Sequence, residues 1–74
     1  MDFKRATDLS GQLGITHAVI AEALGVAPST VRASRLDPSS PNYRNPPVDW
    51  RKKLMHVTRE RAGELLKLAE ELEG

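Results

Sequence analysis

Apolar residues recur at intervals of three to four along most of the chain, the spacing of amphipathic α-helices. The first such segment is Phe3–Leu13, and Gly14 follows it as a suitable helix C-terminus. The second spans about Thr16–Leu24, where Thr16 is placed to cap the helix and Ile15 to pack beneath it. The pattern therefore begins with two short helices separated by a tight turn.

A third helix is predicted directly after a glycine turn. Gly25 stands where the chain must adopt a positive φ, and Val26 supplies an apolar residue for the turn. Pro28 suits the first turn of the following helix, which is expected to reach about Leu36. Residues 37–47 then hold four of the five prolines and predict a long loop, either functional or held down by its own side chains.

The remaining segment, residues 48–73, has helical periodicity with one change of phase. Its apolar stripe consists of Trp50, Leu54, Val57, Leu65, Leu68, Ala69 and Leu72. The register shifts by about one residue near Thr58 and Gly63, which fits either one bent helix or two shorter helices, and we favour a break or kink. The sequence thus predicts a single all-α domain, residues 1–74, of four to five helices.

Composition narrows the classes of protein that fit this pattern. A chain of 74 residues is near the lower limit for a core that is stable alone, so a partner subunit would help. There is no cysteine, and His17 and His56 are too far apart to predict a zinc site, so no metal or other cofactor is expected. Without an apolar span or a secretory signal, we expect a cytoplasmic protein.

Charge is unevenly distributed although the net charge is only +1. Residues 28–61 hold eight arginines and lysines against three acidic residues, whereas residues 62–74 hold four glutamates against one lysine. This division suits a protein whose centre meets phosphate while its acidic end points away, and it equally suits an ordinary solvated surface. No nucleophile elbow, phosphate loop or paired carboxylates occur, so we do not expect an enzyme.

The most specific pattern in the chain is the run IAEALGVAPSTV at residues 20–31. It resembles the helix-turn-helix of the lambda-repressor and Cro-like family of bacterial and phage regulators, which implies a helix-turn-helix at 16–36 that binds DNA. Ala21 is small enough for two helices to cross closely, and Gly25 makes the turn. Ala27 and Ser34 depart from the family pattern, which commonly has a capping hydroxyl and a larger apolar residue there. The alternative is a structural helix pair with no role in nucleic-acid binding.

At 100° per residue the third helix has two faces. The core side holds Ala27, Thr30, Val31 and Ser34, and the outward side holds Pro28, Ser29, Arg32, Ala33, Arg35 and Leu36. Arg32 is our first choice for reading bases because its planar fork fits guanine, and Ser29 is the second. The Ala33 methyl suits thymine, and Arg35 at the rim suits phosphate. Simple solvation or a local ion pair is the alternative for both arginines.

The resemblance also implies phosphate contacts by Thr16 and His17, where the second helix of the family crosses the DNA backbone. A pure cap is an equally good interpretation of Thr16. In the loop, Arg44 is the best phosphate candidate, and Tyr43 is better interpreted as packed. The DNA-binding candidates are Arg32, Ser29, Pro28, Ala33, Arg35, Thr30, His17, Thr16, Arg44 and Tyr43.

The C-terminal segment is expected to cover the core with its first part and to pair with a second chain through its last part. The dimerisation candidates are Leu65, Leu68, Ala69 and Leu72. Two recognition helices about 34 Å apart then imply a palindromic operator. The sequence thus predicts a dimeric, sequence-specific transcriptional regulator of double-stranded DNA, a repressor. The alternatives are a phage packaging or recombination accessory module and a helical adaptor that binds protein.

Overall fold

The computed structural model describes all 74 residues and contains four α-helices and no strands. The helices are α1 (Phe3–Gln12), α2 (His17–Leu24), α3 (Pro28–Ser34) and α4 (Trp50–Glu73). Turns and irregular backbone connect α3 to α4 over residues 35–49, which include the loop expected at 37–47. The prediction of an all-α chain is confirmed. None of the helices, α4 included, has the length and apolar character that crossing a bilayer requires.

The apolar core lies where the first three helices meet the start of α4. Its buried residues are Phe3, Ala6, Ile15, Ile20, Ala21, Leu24, Val31 and Leu54. Trp50 closes one end, because its ring packs edge-on against that of Phe3 with the ring centroids 5.1 Å apart. All four helices thus contribute buried apolar residues to one shared interior.

The spacing of α1 predicts inward positions at Phe3, Ala6, Leu9 or Ser10, and Leu13, and the structure buries Phe3, Ala6 and Ser10 of these. Leu13 is 72% exposed, and Leu9 is only half-buried. Thr7 is buried in addition, and the hydroxyls of Thr7 and Ser10 donate to the carbonyls of Phe3 and Ala6 at 2.9 and 2.7 Å. Because each hydroxyl is satisfied within its own helix, a small polar side chain can face the core at little cost.

The turn between α2 and α3 has the predicted geometry. Gly25 lies in the left-handed region with φ 71° and ψ 31°, and the N–H of Val26 donates to the carbonyl of Ala21 at 3.0 Å. Ala21 is 2% exposed, so its small side chain lies in the packed interior. α3 ends at Ser34, two residues before the expected end.

Helix α4 is continuous, so the alternative of two shorter helices, the second capped by Thr58, is wrong. The hydroxyl of Thr58 instead donates to the carbonyl of Leu54 at 2.8 Å within the helix. Side-chain pairs support the backbone on both sides of that point: His56 Nε2 lies 2.8 Å from Glu60 Oε1, and Arg61 Nε lies 3.8 Å from Glu64 Oε2. The change of phase therefore marks a change of surroundings along one helix.

The second part of α4 projects from the rest of the molecule. Leu54 is its only buried residue, and every residue after Arg61 is exposed. The molecule is consequently elongated, measuring 53 × 20 × 19 Å along its principal axes. The predicted dimerisation residues lie in this free part, where Leu65, Leu68 and Leu72 are 55%, 51% and 78% exposed.

Capping differs between the two helices of the central pair, and this difference predicts a stabilising substitution. The Thr16 hydroxyl accepts from the N–H of Val19 at 3.2 Å, whereas Ala27 offers α3 no side-chain cap. We expect Ala27→Ser to raise the free energy of unfolding by about 1 kcal/mol, because a serine hydroxyl accepts from the free N–H groups of the first turn. Urea unfolding measures the change. An equal or lower midpoint would contradict an uncapped first turn in α3.

Candidate nucleic-acid interface

The third helix presents one edge to solvent and the other to the core. Val31 and Ser34 are 1% and 4% exposed, whereas Pro28, Ser29 and Arg32 are all exposed. The Arg32 side chain makes no hydrogen bond or ion pair within the chain. The expected outward orientation of Ser29 and Arg32 is therefore confirmed. A hydroxyl and a free guanidinium lie side by side on a convex, helical surface.

Two further candidates on α3 lie at the border between these faces. Thr30 and Ala33 are half-buried. Ala27, which the helical wheel places toward the core, is exposed because it precedes the helix in extended conformation, with φ −72° and ψ 150°. Only the Ala33 methyl adds to the exposed edge on the side of Arg32.

Arg35 is half-buried and is held against α1. Its Nε donates to the Thr7 hydroxyl at 2.9 Å, and its guanidinium forms an ion pair with Asp8. A hydrogen bond from Lys4, together with the charges of Lys4 and Arg35, keeps the pKa of Asp8 below its ordinary value. The alternative of a local ion pair thus describes Arg35, and the pair ties the end of α3 to α1.

The partners of Arg35 were missed from the sequence. Asp8 lies 27 positions before Arg35, so no helical periodicity connects the two residues. The Thr7 hydroxyl is used twice, since it donates to the Phe3 carbonyl and accepts from Arg35. Only the fold brings these groups together.

The start of α2 places Thr16 and His17 at the surface. Thr16 is exposed and caps the helix through Val19, which confirms the capping role. His17 is half-buried as the first residue of α2. Phosphate binding by these two residues stays a prediction, supported by the general affinity of helix N-termini for anions.

The loop after α3 is fixed against the helices by its own hydrogen bonds. Asp37 accepts from the N–H and the hydroxyl of Ser39 at 2.9 and 2.7 Å, and the backbone bond, followed by the hydroxyl bond, lowers the pKa of Asp37. Tyr43 is half-buried in a cleft that Phe3 and Ser34 also line. The N–H of Arg44 donates to the Ala33 carbonyl at 3.5 Å. The exposed Arg44 side chain therefore starts beside the end of α3.

Comparisons with known protein families, curated proteins and solved structures found no match to this chain. The site is defined by its own geometry, which combines the exposed edge of α3 with Arg44 beside the end of that helix. Arg35 and Tyr43 are half-buried beside this surface, Arg35 against α1 and Tyr43 in the cleft lined by Phe3 and Ser34.

Arg32 within α3 and Arg35 directly after it form a matched pair for testing which of the two arginines is structural. Arg35→Met removes the contacts to Thr7 and Asp8, so we expect a lower urea midpoint at neutral pH. Arg32→Met removes no contact within the chain and is expected to change stability by at most about 0.5 kcal/mol. Equal effects of the two substitutions would contradict these assignments.

The effect of Arg35→Met is also expected to depend on pH. Since the folded-state pKa of Asp8 is lowered from 3.8, the ion pair contributes fully at pH values above that ordinary pKa. Its contribution is lost as the pH falls through the lowered, folded-state pKa. The difference between the wild type and Arg35→Met should therefore narrow in acid, and a difference that grows there would refute the pairing.

Proposed function

We propose that α2 and α3 form a helix-turn-helix and that α3 enters the major groove of double-stranded DNA, which makes the protein a sequence-specific transcriptional regulator. The observation that carries this proposal is the exposed edge with Ser29 and Arg32, whose opposite edge is anchored by buried Val31. A helix held by one edge and free along the other suits insertion among base edges. The tight turn at Gly25 supports the same assignment.

Within this complex each residue has a distinct role. Arg32 donates both arms of its guanidinium to the O6 and N7 atoms of guanine, Ser29 bonds a neighbouring base or phosphate, and the Ala33 methyl contacts thymine. Thr16, His17 and Arg44 bind phosphate oxygens on either side. Arg35 is a positioning residue, because its bonds to α1 hold α3 at a fixed angle.

We further propose that the regulator acts as a homodimer on a palindromic operator and represses the gene there. The exposed leucines after Arg61 support dimerisation, since a free helix with an apolar face gains stability by pairing. A single helix of seven residues makes few base contacts, and two copies double their number. A footprint on a promoter-overlapping inverted repeat would support repression over a packaging or recombination role.

An adaptor that binds other proteins is the second candidate, and the same exposed leucines favour it. The two functions differ in their response to salt. Binding to DNA weakens steeply as the salt concentration rises, because bound phosphates release counterions, and an apolar protein contact does not weaken in this way. If the chain has no affinity for duplex DNA, and its binding to a protein does not weaken with salt, the adaptor is the function that fits.

The role of Arg32 leads to a specific prediction. On sites selected from random duplex DNA, Arg32→Ala should weaken binding by about 1–3 kcal/mol and relax the preference at one position in each half-site. Arg5→Ala is the control, since Arg5 is an exposed arginine of α1 and is not among the proposed DNA contacts. The measurement is a gel-shift titration across single-base variants of the site. A uniform loss at every position would contradict base reading by Arg32.

The free end of α4 leads to a second prediction. A chain that ends at Gly63 keeps every core residue, so it should stay folded. We expect it to sediment as a monomer and to lose most of its operator affinity, because each half-site is then bound independently. Sedimentation velocity and a gel shift measure the two effects. If the truncated and the full chain sediment with the same number of chains per particle, a dimer formed through this segment is contradicted.

A further inference from the structure

We infer that two copies of the chain pair through an antiparallel contact between their α4 helices, with the two-fold axis between Leu65 and Leu66. The inference deepens the proposed homodimer by fixing its direction and register. It depends on the shape, charge and length of α4.

The free part of α4 has one continuous apolar side. At 100° per residue, Ala62, Leu65, Leu66, Ala69 and Leu72 lie within an arc of about 120°. Leu65 and Leu66 are 55% and 66% exposed, and nothing in the chain covers them. The charged residues of the same stretch lie outside the arc, apart from Glu73 at the end of the helix. This side is therefore an unpartnered contact surface.

Antiparallel pairing matches this surface to itself. With the axis between Leu65 and Leu66, each Leu65 lies opposite the partner's Leu66, and each Ala62 lies opposite the partner's Ala69. Large side chains therefore meet at the centre, and alanines meet on both sides of it. Because alanine is small, the two helices can approach closely there.

Charge favours the antiparallel direction over the parallel one. The free segment carries four glutamates and one lysine, so parallel helices would place like charges side by side. In the antiparallel register, Arg59 lies beside the partner's Glu73. Arg59 is exposed and has no ion-pair partner in its own chain. The basic first half of α4 thus meets the acidic end of the second copy.

The length of α4 sets the distance between the two domains in this register, and the comparison of that distance with DNA rests on the proposed function. Leu54 is the one α4 residue buried in the core, so it marks where each helix leaves its domain. In this register about 23 residues of helical rise separate Leu54 from the partner's Leu54, or about 34 Å at about 1.5 Å per residue. Recognition helices that bind successive major grooves on one face of DNA are spaced by about 34 Å. Parallel pairing provides no such separation along α4.

Disulfide trapping tests the antiparallel direction of the two helices. Because the chain has no cysteine of its own, only the introduced thiols can crosslink. Ala62→Cys and Ala69→Cys are prepared separately, with different isotope labels, then unfolded, refolded together and mildly oxidised. We expect mainly mixed crosslinks between positions 62 and 69. Like positions are about 10 Å apart along the axis in this register, too far for a disulfide. Lys67→Cys, on the opposite side of the helix, is the control and should crosslink poorly.

Charge reversal tests the register. Arg59→Glu should weaken dimerisation about tenfold, because each dimer loses two ion pairs and gains two repulsions. Adding Glu73→Arg should restore dimerisation, whereas Lys67→Glu, with the same change of charge outside the apolar side, should have little effect. Sedimentation equilibrium without DNA measures all three variants.

The outcomes separate the dimer from the DNA-binding proposal. Crosslinks between like positions would overturn the antiparallel direction even if operator binding persists, and a monomer without crosslinks would overturn the pairing itself. Mixed crosslinks in a protein with no affinity for duplex DNA would support the pairing and refute the proposed function.

Discussion

The contact of Val31 with the buried side of α2 is the interaction on which the rest of the structure depends. α3 has only seven residues, and a helix of two turns is not stable in water by itself. Its orientation is therefore set by what it buries, and Val31 is 1% exposed in the cluster that contains Ile20 and Leu24. Once that edge is inside, Ser29 and Arg32 must point outward.

Other contacts limit the remaining freedom of α3. Arg35 ties the end of the helix to α1, and the backbone bond from Arg44 ties the following loop to Ala33. Ser34 is the exception, because its buried hydroxyl has no hydrogen-bond partner, which costs stability. The Arg35 bonds are thus important for a helix that buries only Val31 and Ser34. In the proposed complex they hold α3 in one orientation.

Much of this architecture was predictable from local pattern. The four helix starts, the glycine turn and the outward edge of α3 follow from apolar spacing and from the steric rules for glycine and proline. The pairing of Arg35 with Asp8 was not predictable, because long-range ion pairs leave no periodic trace. The burial of Thr7 was not predictable either. Apolar spacing assigns a polar residue to the surface, whereas the Thr7 hydroxyl is satisfied by a carbonyl of its own helix.

The predicted break in α4 shows a different limit. A shift in apolar phase was attributed to a change in the backbone, but the helix continues and its neighbours change: Leu54 faces the core, whereas Leu65 faces solvent. Periodicity indicates which side of a helix is covered, and it does not indicate what covers it. In the proposed dimer, a second copy of the chain covers the exposed leucines.

Methylation interference on the selected duplex tests whether the Ser29 and Arg32 edge of α3 reads the major groove. Methyl groups on guanine N7 project into the major groove, and those on adenine N3 project into the minor groove. We expect interference at guanine N7 in two clusters about one turn of DNA apart. Interference confined to adenine N3, or none at any base, would contradict the claim.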